Sequence, residues 1–141
     1  MARQVSRSRI PRTEFDYLLI PDEVADSLCS CGGLEGLVEK LPPDDLFEQM
    51  QGRYQACADP VRLKILALLT IQPLCVCVIK TIVKMADSKL SYHLTILKKA
   101  GLIEGMQQGN YIIYQITPDT RTYVEEEFRK YGYNLSRKRG R

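Results

Sequence analysis

The chain has 141 residues, 45% of them hydrophobic, and a formal net charge of +3. This length suits one domain with terminal extensions, and the apolar share is sufficient for a buried core. No apolar run approaches the roughly 18 residues that a membrane-spanning helix needs. The basic N-terminus lacks the apolar segment of a secretory signal. We therefore expect a cytoplasmic protein without membrane contact.

The charge is distributed unevenly. Four arginines precede the first acidic residue, and four basic residues lie among the last five, namely Arg3, Arg7, Arg9 and Arg12, and Arg137, Lys138, Arg139 and Arg141. Basic ends suit phosphate contacts that weaken with salt. On charge alone, solvated tails that only aid solubility explain them equally well. We interpret residues 1–13 as a basic disordered arm and residues 135–141 as a basic tail.

Residues 14–43 form an N-terminal extension of mixed character. A short helical segment leads to Cys-Ser-Cys-Gly-Gly at residues 29–33, which we expect to be an exposed turn, and Pro42-Pro43 then breaks the pattern. From Asp44 apolar residues at helical spacing predict a helix that ends near Cys57. Five cysteines are many for a small cytoplasmic chain, and they favour metal binding or thiol chemistry over stable disulfides.

Three further helices are predicted before Gly101, after which apolar residues alternate as in a strand. Asp59 as N-cap and Pro60 at the first position begin a deeply buried helix. Pro73 begins a short third helix that contains Cys75 and Cys77. Asp87 or Ser88 caps a fourth helix, which ends at Gly101 with lysines in its last turn. On that helix one narrow apolar face is formed by Leu90, Leu94 and Leu97.

After Gly101 the apolar period becomes two, which predicts a β-hairpin with the turn "QQGN". A last helix begins near Pro118, with Val124, Phe128, Tyr131 and Leu135 on one side. A short helix, a tight turn and a polar-faced helix form a helix-turn-helix, and the hairpin adds a wing. The predicted fold is mainly α with a β-hairpin wing, and its winged helix-turn-helix domain spans residues 44–134.

The segment "SYHLTILKKAGLIEGMQQGNYIIYQI" resembles the ArsR/SmtB family of winged-helix repressors. The residues in register with that family are Ser91, His93, Leu94, Leu97, Ala100, Gly101, Leu102, Gly109 and Tyr114. "ACADPVRLKIL" and "PLCVCVI" resemble two further family elements in the right order. The resemblance implies a homodimer built from the first and last helices, whose fourth helix enters the major groove of a double-stranded operator.

The polar face of the fourth helix and the wing supply the candidate DNA contacts, which are Ser88, Lys89, Ser91, Tyr92, Thr95, Lys99, Gln107, Gln108 and Asn110. We interpret His93, on the inner side, as a structural histidine. Family wings carry arginines, whereas this wing is uncharged, so we expect Lys89, Lys98, Lys99 and the basic arms to compensate. Deleting residues 1–12 would then flatten the salt dependence of DNA binding.

The cysteines are the candidate effector site. Family members with zinc on the last helix need histidine there, and this chain has one histidine, elsewhere. The arsenic-responsive pattern has a third cysteine where this chain has Lys80. This chain resembles the cadmium- and lead-responsive members more closely, since in those proteins N-terminal cysteines bind the metal together with a Cys-Val-Cys pair. The implied ligand set is Cys29, Cys31, Cys75 and Cys77, holding Cd²⁺, Pb²⁺, Zn²⁺ or As(III).

Residues i and i+2 of a regular helix point about 200° apart, so Cys75 at the helix start is the surer ligand and Cys77 the less certain one. Cys57 is interpreted as core filler. Two alternatives use the same cysteines: a reversible disulfide without any cofactor, and an iron–sulfur cluster. A zinc-stabilised interaction module without an operator is a third. No paired acid and base indicate an enzyme.

Overall fold

The structure is a computed structural model, and it describes residues 9–135. The chain divides into two compact units, Met1–Phe47 and Glu48–Arg141, with the division inside one helix. The predicted DNA-contacting arginines of the two termini, Arg3, Arg7 and those of the tail, lie outside the described residues. Within residues 9–135, no helix is long and apolar enough to cross a membrane.

The first unit contains a short 3-10 helix, Arg12–Phe15, followed by α1, Asp22–Cys31, and α2, Gly33–Lys40. Its core is formed by Phe15, Ala25, Leu28 and Cys29. Two expectations are corrected here. Arg12 is ordered and not part of a disordered arm, because Phe15 is buried beside it and its guanidinium pairs with Asp22 at 2.8 Å.

The second correction concerns the Cys-Ser-Cys segment, which is the last turn of α1 and not an exposed turn. The helix continues through both cysteines because the apolar face that includes Leu28 and Cys29 is buried. It ends at Gly32, whose φ of 94° lies in the left-handed region that glycine tolerates. The backbone N–H of Ile10 donates to Cys29 O at 2.9 Å and holds the preceding segment against this turn.

The second unit is a winged helix-turn-helix. Its elements are α3, Asp44–Cys57, which crosses the division; α4, Pro60–Ile71; β1, Leu74–Cys75; α5, Val76–Val83; α6, Asp87–Lys99; β2, Ile103–Gln108; β3, Tyr111–Ile116; and α7, Pro118–Lys130. The strands form an antiparallel sheet in the order β1-β3-β2. The predicted fold class is confirmed, and so is the hairpin.

Helix α4 lies at the centre of this unit. Asp59 Oδ1 accepts hydrogen bonds from the backbone N–H of Val61 at 2.8 Å and of Arg62 at 3.1 Å, so the predicted N-cap is confirmed. These bonds, that of Arg62 first, hold the pKa of Asp59 below its ordinary value. Ile65, Leu66 and Leu69 are fully buried. The cap and the buried face together fix where α4 begins and which side it turns inward.

The third predicted helix begins later than expected. Pro73 does not start it, because Leu74 and Cys75 are extended and pair with Tyr114 and Ile113 of β3. Helix α5 starts at Val76, and Cys75 is its N-cap with φ −78° and ψ 157°. The backbone hydrogen bonds to β3 therefore keep Cys75 out of the helix.

The ends of α6 and α7 also differ in part from the predictions. The N-cap of α6 is Ala86 and neither Asp87 nor Ser88, because the Asp87 carboxylate lies 2.7 Å from Lys80 Nζ. Helix α6 ends as predicted, before Gly101 at φ 74°. Helix α7 ends at Lys130, so Tyr131 is its exposed C-cap and Leu135 packs on the core from beyond the helix.

Candidate functional site

The outer face of α6 is fully available to a partner. Its inner face is buried through Leu90, His93, Leu94 and Leu97. Every polar position predicted to contact DNA is exposed, namely Ser88, Lys89, Ser91, Tyr92, Thr95 and Lys99 on α6, and Gln107, Gln108 and Asn110 on the wing. The helix repeat separates the two faces. The arrangement presents one polar helix face and one hairpin tip from the same unit.

The wing carries no formal charge at its tip. Gly109 adopts φ 58° there, and Gln107 Nε2 donates to Gly109 O at 2.9 Å, which closes the turn. Gln115 Nε2 donates to Glu104 Oε1 at 3.0 Å across the two strands. An amide-lined tip donates and accepts hydrogen bonds but attracts phosphate less than an arginine does. The exposed lysines nearest to this polar face are Lys89, Lys98 and Lys99 of α6.

His93 is buried at 5% exposure and lies at the junction of three helices. Its Nδ1 is 3.1 Å from Nη1 of Arg62, and the Tyr92 ring packs edge-on to it with 5.5 Å between ring centroids. Arg62 was not singled out from the sequence. Its place three residues after the Asp59 cap was the available signal, because that spacing directs an N-terminal side chain of α4 towards the end of α3.

Cys75 and Cys77 form a close thiol pair. Their Sγ atoms are 2.7 Å apart, although two residues of a regular helix with this spacing would point apart. The pair converges because Cys75 is extended and only Cys77 belongs to the helix. Cys77 is exposed and Cys75 is half-buried. Both thiols thus meet at the start of α5, although the helix geometry alone made Cys77 the less certain of the two predicted ligands.

The two thiols differ in acidity. The pKa of Cys75 is lowered, first because the Cys77 thiol donates a hydrogen bond to it and second because the backbone N–H of Val78 faces it. The pKa of Cys77 is raised, mainly because it keeps the proton that it shares with Cys75. The pair therefore favours a thiolate at Cys75, and the thiolate is the form of cysteine that acts as a nucleophile or a soft ligand.

The thiol pair shares an open cleft with both candidate DNA elements. The cleft has a volume of about 410 Å³, and its lining residues are Cys75, Val76, Cys77, Lys80, Asp87, Asn110, Tyr111 and Ile112. Asp87 is the first residue of α6, and Asn110 and Tyr111 lie at the wing tip. The sequence did not predict the ion pair of Lys80 and Asp87, although Lys80 stands where the arsenic-responsive pattern has its third cysteine.

The other predicted ligands lie elsewhere. Cys29 is 4% exposed in the core of the first unit, and Cys31 is half-buried with its thiol near Leu28 O at 3.5 Å. Among residues 9–135, no three side chains of His, Cys, Asp or Glu converge to hold a metal ion. The second unit therefore brings together two thiol donors. Two thiols can bind one ion as a pair, but a four-thiolate metal site needs two more.

Cys57 lies in an apolar cavity of about 380 Å³ between α3, α4 and α7, lined also by Tyr54, Leu66, Tyr123 and Phe128. Burial raises the pKa of its thiol. A neutral thiol in such surroundings behaves as a small hydrophobic group. Tyr54 and Tyr123 are exposed at this face, and together with Met50 of α3 they line an adjoining cavity.

A model of the family described as "Bacterial regulatory protein, arsR family" matches residues 59–104. An uncharacterized HTH-type transcriptional regulator of Methanocaldococcus jannaschii is 38% identical over 52% of this chain and 83% of that protein. The arsenical resistance operon repressor of Bacillus subtilis is 34% identical over 53% of this chain and 72% of its own length. The chain belongs to the arsR family of bacterial regulatory proteins. Two other curated relatives, the SmtB homolog of Synechocystis and the arsenical resistance operon repressor of Escherichia coli, are covered over only 54% and 56% of their length.

Solved structures agree with this assignment for the regulator. The solution structure of a homodimeric winged helix-turn-helix DNA-binding domain from Mycobacterium bovis has a TM-score of 0.61 and 25% identity, and it covers 72% of this chain and 98% of that one. The predicted family is confirmed. The protein is a DNA-binding transcriptional regulator of the arsR family and not an enzyme.

Proposed function

We propose that the regulator is a repressor that binds a double-stranded operator through α6 and the wing, and that the thiol pair Cys75 and Cys77 controls this binding. The observation that carries the proposal is the cleft that the thiol pair shares with Asp87 of α6 and Asn110 of the wing. A group bound to the sulfurs would lie directly between the two DNA-binding elements. As a regulator of transcription, the protein would act in the cytoplasm.

The operator contacts follow from exposure and charge. Tyr92 is 62% exposed on the outer face of α6, among hydroxyl groups that hydrogen-bond to base edges or phosphates. Lys89 and Lys99 on α6, with the basic ends of the chain, would supply the phosphate attraction that the wing lacks. His93 would act from inside, as a structural residue.

A homodimer would present two such faces to a palindromic operator. The homodimeric state of the M. bovis domain supports it. So do the apolar side chains at the junction of α3 and α7, where Met50, Tyr54 and Tyr123 are each more than a third exposed. Such side chains are typical of an interface core when they lie side by side.

The effector would be a thiophilic ion or metalloid such as Cd²⁺, Pb²⁺, Zn²⁺ or As(III). Cys75 and Cys77 would hold it, and it would cross-link the extended N-cap residue to the first turn of α5. Cys29 and Cys31 remain the proposed source of further thiolates. Their use requires the last turn of α1 to open, since Cys29 is buried. The arsenical repressor of B. subtilis is similar to this chain, which supports this class of effector.

A thiol–disulfide switch is the second candidate, and the 2.7 Å separation of the two sulfurs favours it. The Cys75 thiolate would attack peroxide to give a sulfenic acid with release of hydroxide. The Cys77 thiol would then displace water from it and form the disulfide. Two thiols suffice for this reaction, whereas an iron–sulfur cluster takes four cysteines.

The test is an operator-binding assay on the full-length chain, with a duplex selected from random sequence. Cd²⁺, As(III) and peroxide are each titrated against the complex formed by the wild type, Cys75→Ser and Cys57→Ser. We expect one effector to release the wild type and the Cys57→Ser control from DNA, and to leave Cys75→Ser bound. Identical release of all three proteins would refute control by the thiol pair, and lack of any selected duplex would refute the repressor itself.

A further inference from the structure

One arginine connects three helices of the second unit. Arg62 Nε donates to Ala56 O at 2.7 Å, and its Nη2 donates to Gln55 O at 3.2 Å, both in the last turn of α3. The last carbonyl groups of a helix have no partner within it. Arg62 therefore caps α3 from the start of α4, while the Asp59 cap fixes its own backbone.

The third bond of the guanidinium reaches α6. Arg62 Nη1 lies 3.1 Å from Nδ1 of His93. Because a guanidinium only donates hydrogen bonds, Nδ1 must accept, and the ring proton must be on Nε2. The contact thus selects one neutral tautomer of a buried ring. Tyr92, the next residue, packs on that ring and points to the outer face.

We propose that Arg62 is a positioning residue for DNA binding, which ties α6 to the end of α3 through His93 and so sets the angle at which Tyr92 meets the operator. The inference rests on the proposed function in requiring that α6 contacts DNA. The contact geometry does not depend on which effector the thiols bind. It also connects the operator-binding helix to α3, the helix proposed for the dimer interface.

The contacts of Arg62 depend on the planar, forked shape of its guanidinium group. Three nitrogens of one group reach two helices at once, and a lysine ammonium on a similar stem lacks that fixed geometry. Arg62→Lys keeps the charge and loses the simultaneous contacts. Arg121 offers a matched control, since its Nη1 donates to Thr70 O between α7 and α4 and it has no hydrogen bond with α6 among the described residues.

The first measurement uses the fact that the chain has one histidine. Nitrogen-15 spectra of the full-length protein should show His93 Nδ1 as an unprotonated, hydrogen-bonded acceptor in the wild type and in Arg121→Lys. In Arg62→Lys we expect the Nδ1 signal to move towards that of an acceptor without a strong donor. An unchanged signal in Arg62→Lys would show that Arg62 does not hold the ring, and would overturn the proposal.

The second measurement is operator affinity per folded protein. Arg62→Lys should weaken binding at least about tenfold, as expected for hydrogen bonds to a charged group, and Arg121→Lys should change it less than about twofold. If Arg62→Lys does not fold, His93→Gln and His93→Leu replace it. Gln retains an acceptor for Arg62 and should keep most of the affinity, and Leu should lose about tenfold.

Equal affinity of the Gln and Leu variants would overturn the positioning role. A wild-type chain that binds no duplex would instead overturn the proposed function, and with it any role of Arg62 on DNA. The nitrogen-15 result separates the two cases, because it reports the contact between Arg62 and His93 without DNA.

Discussion

Two Cys-x-Cys pairs of identical spacing have opposite geometries in this chain. Cys29 and Cys31 both belong to the regular last turn of α1, which directs residues i and i+2 about 200° apart. Cys29 consequently enters the core, and Cys31 is half-buried. Cys75, in contrast, is extended by its pairing with β3, so its sulfur meets that of Cys77 at 2.7 Å.

The position of each pair on its helix adds to the difference. The first pair lies at the end of α1, whereas the second lies at the start of α5, where backbone N–H groups favour a thiolate. The lowered pKa of Cys75 agrees with this polarity, after the larger effect of the Cys77 thiol. The Cys-x-Cys spacing alone therefore does not bring two thiols together. In this chain they meet only where the first cysteine is extended and the second lies in the first turn of a helix.

The largest predicted contrast is in thiol reactivity. At neutral pH, iodoacetamide should alkylate Cys75 at least about 100-fold faster than Cys29, because the half-buried Cys75 thiol has a lowered pKa and the buried Cys29 thiol reacts only after local opening. Site-resolved mass spectrometry measures both rates in one sample, with Cys57 as an internal standard for a half-buried neutral thiol. Comparable rates at Cys75 and Cys29 would contradict the described burial of Cys29.

The next contrast is in stability. Cys29→Ser places a hydroxyl among Phe15, Ala25 and Leu28, and we expect it to lower the free energy of unfolding by about 1–3 kcal/mol, the cost of an unsatisfied buried polar group. Cys77→Ser, at an exposed site, is the control and should have little effect. Urea unfolding followed by hydrogen exchange of residues 10–31 measures the change. An equally stable Cys29→Ser chain would exclude core packing as the role of Cys29.

Much of the second unit was predictable because local signals agreed with packing. The Asp59-Pro60 start, the buried leucine face of α6 and the glycine turn of the wing each follow from spacing or backbone preference. Pairing of Leu74 and Cys75 with β3 was not, since the partner lies about 40 residues away in sequence. A long-range strand contact therefore overrode the local helix pattern at the very residue on which the site depends.

The features of the candidate site also fall into those that the local sequence predicts and those that only tertiary packing creates. The exposed face of α6 followed from the helical repeat. The contact between Arg62 and His93 and the ion pair of Lys80 with Asp87 join different helices, and only tertiary packing brings them together. Burial of Cys29 was also missed, because Gly32 and Gly33 near it suggested a turn, whereas Gly32 ends α1 and is the N-cap of α2.

The comparison is sharpened further by the pH dependence of Cys75. Cys77→Val removes the donor that is the first cause of its lowered pKa, so the pH midpoint of Cys75 alkylation should move upward. Cys77→Ser retains a hydroxyl donor and should stay nearer the wild-type midpoint. Rates measured from pH 6 to pH 10 in the three proteins give the midpoints. A midpoint in Cys77→Val at or below the wild-type value would show that Cys77 does not stabilise the thiolate.

The smallest expected effect is that of Cys75→Ser, which should stabilise the protein slightly, whereas Cys29→Ser should destabilise it. Cys75 is the N-cap of α5 but makes no capping hydrogen bond with its side chain, and its extended backbone is the conformation that a serine cap adopts. Cys75→Ser should therefore raise the thermal midpoint by a few degrees at most, as its Oγ accepts the backbone N–H of Val78. Cys75→Ala, which cannot cap, is the matched control. Serine would then stabilise the protein at Cys75 and destabilise it at Cys29. A lower thermal midpoint for Cys75→Ser than for Cys75→Ala would mean that capping of α5 does not contribute to stability at this residue and that its pairing with β3 does.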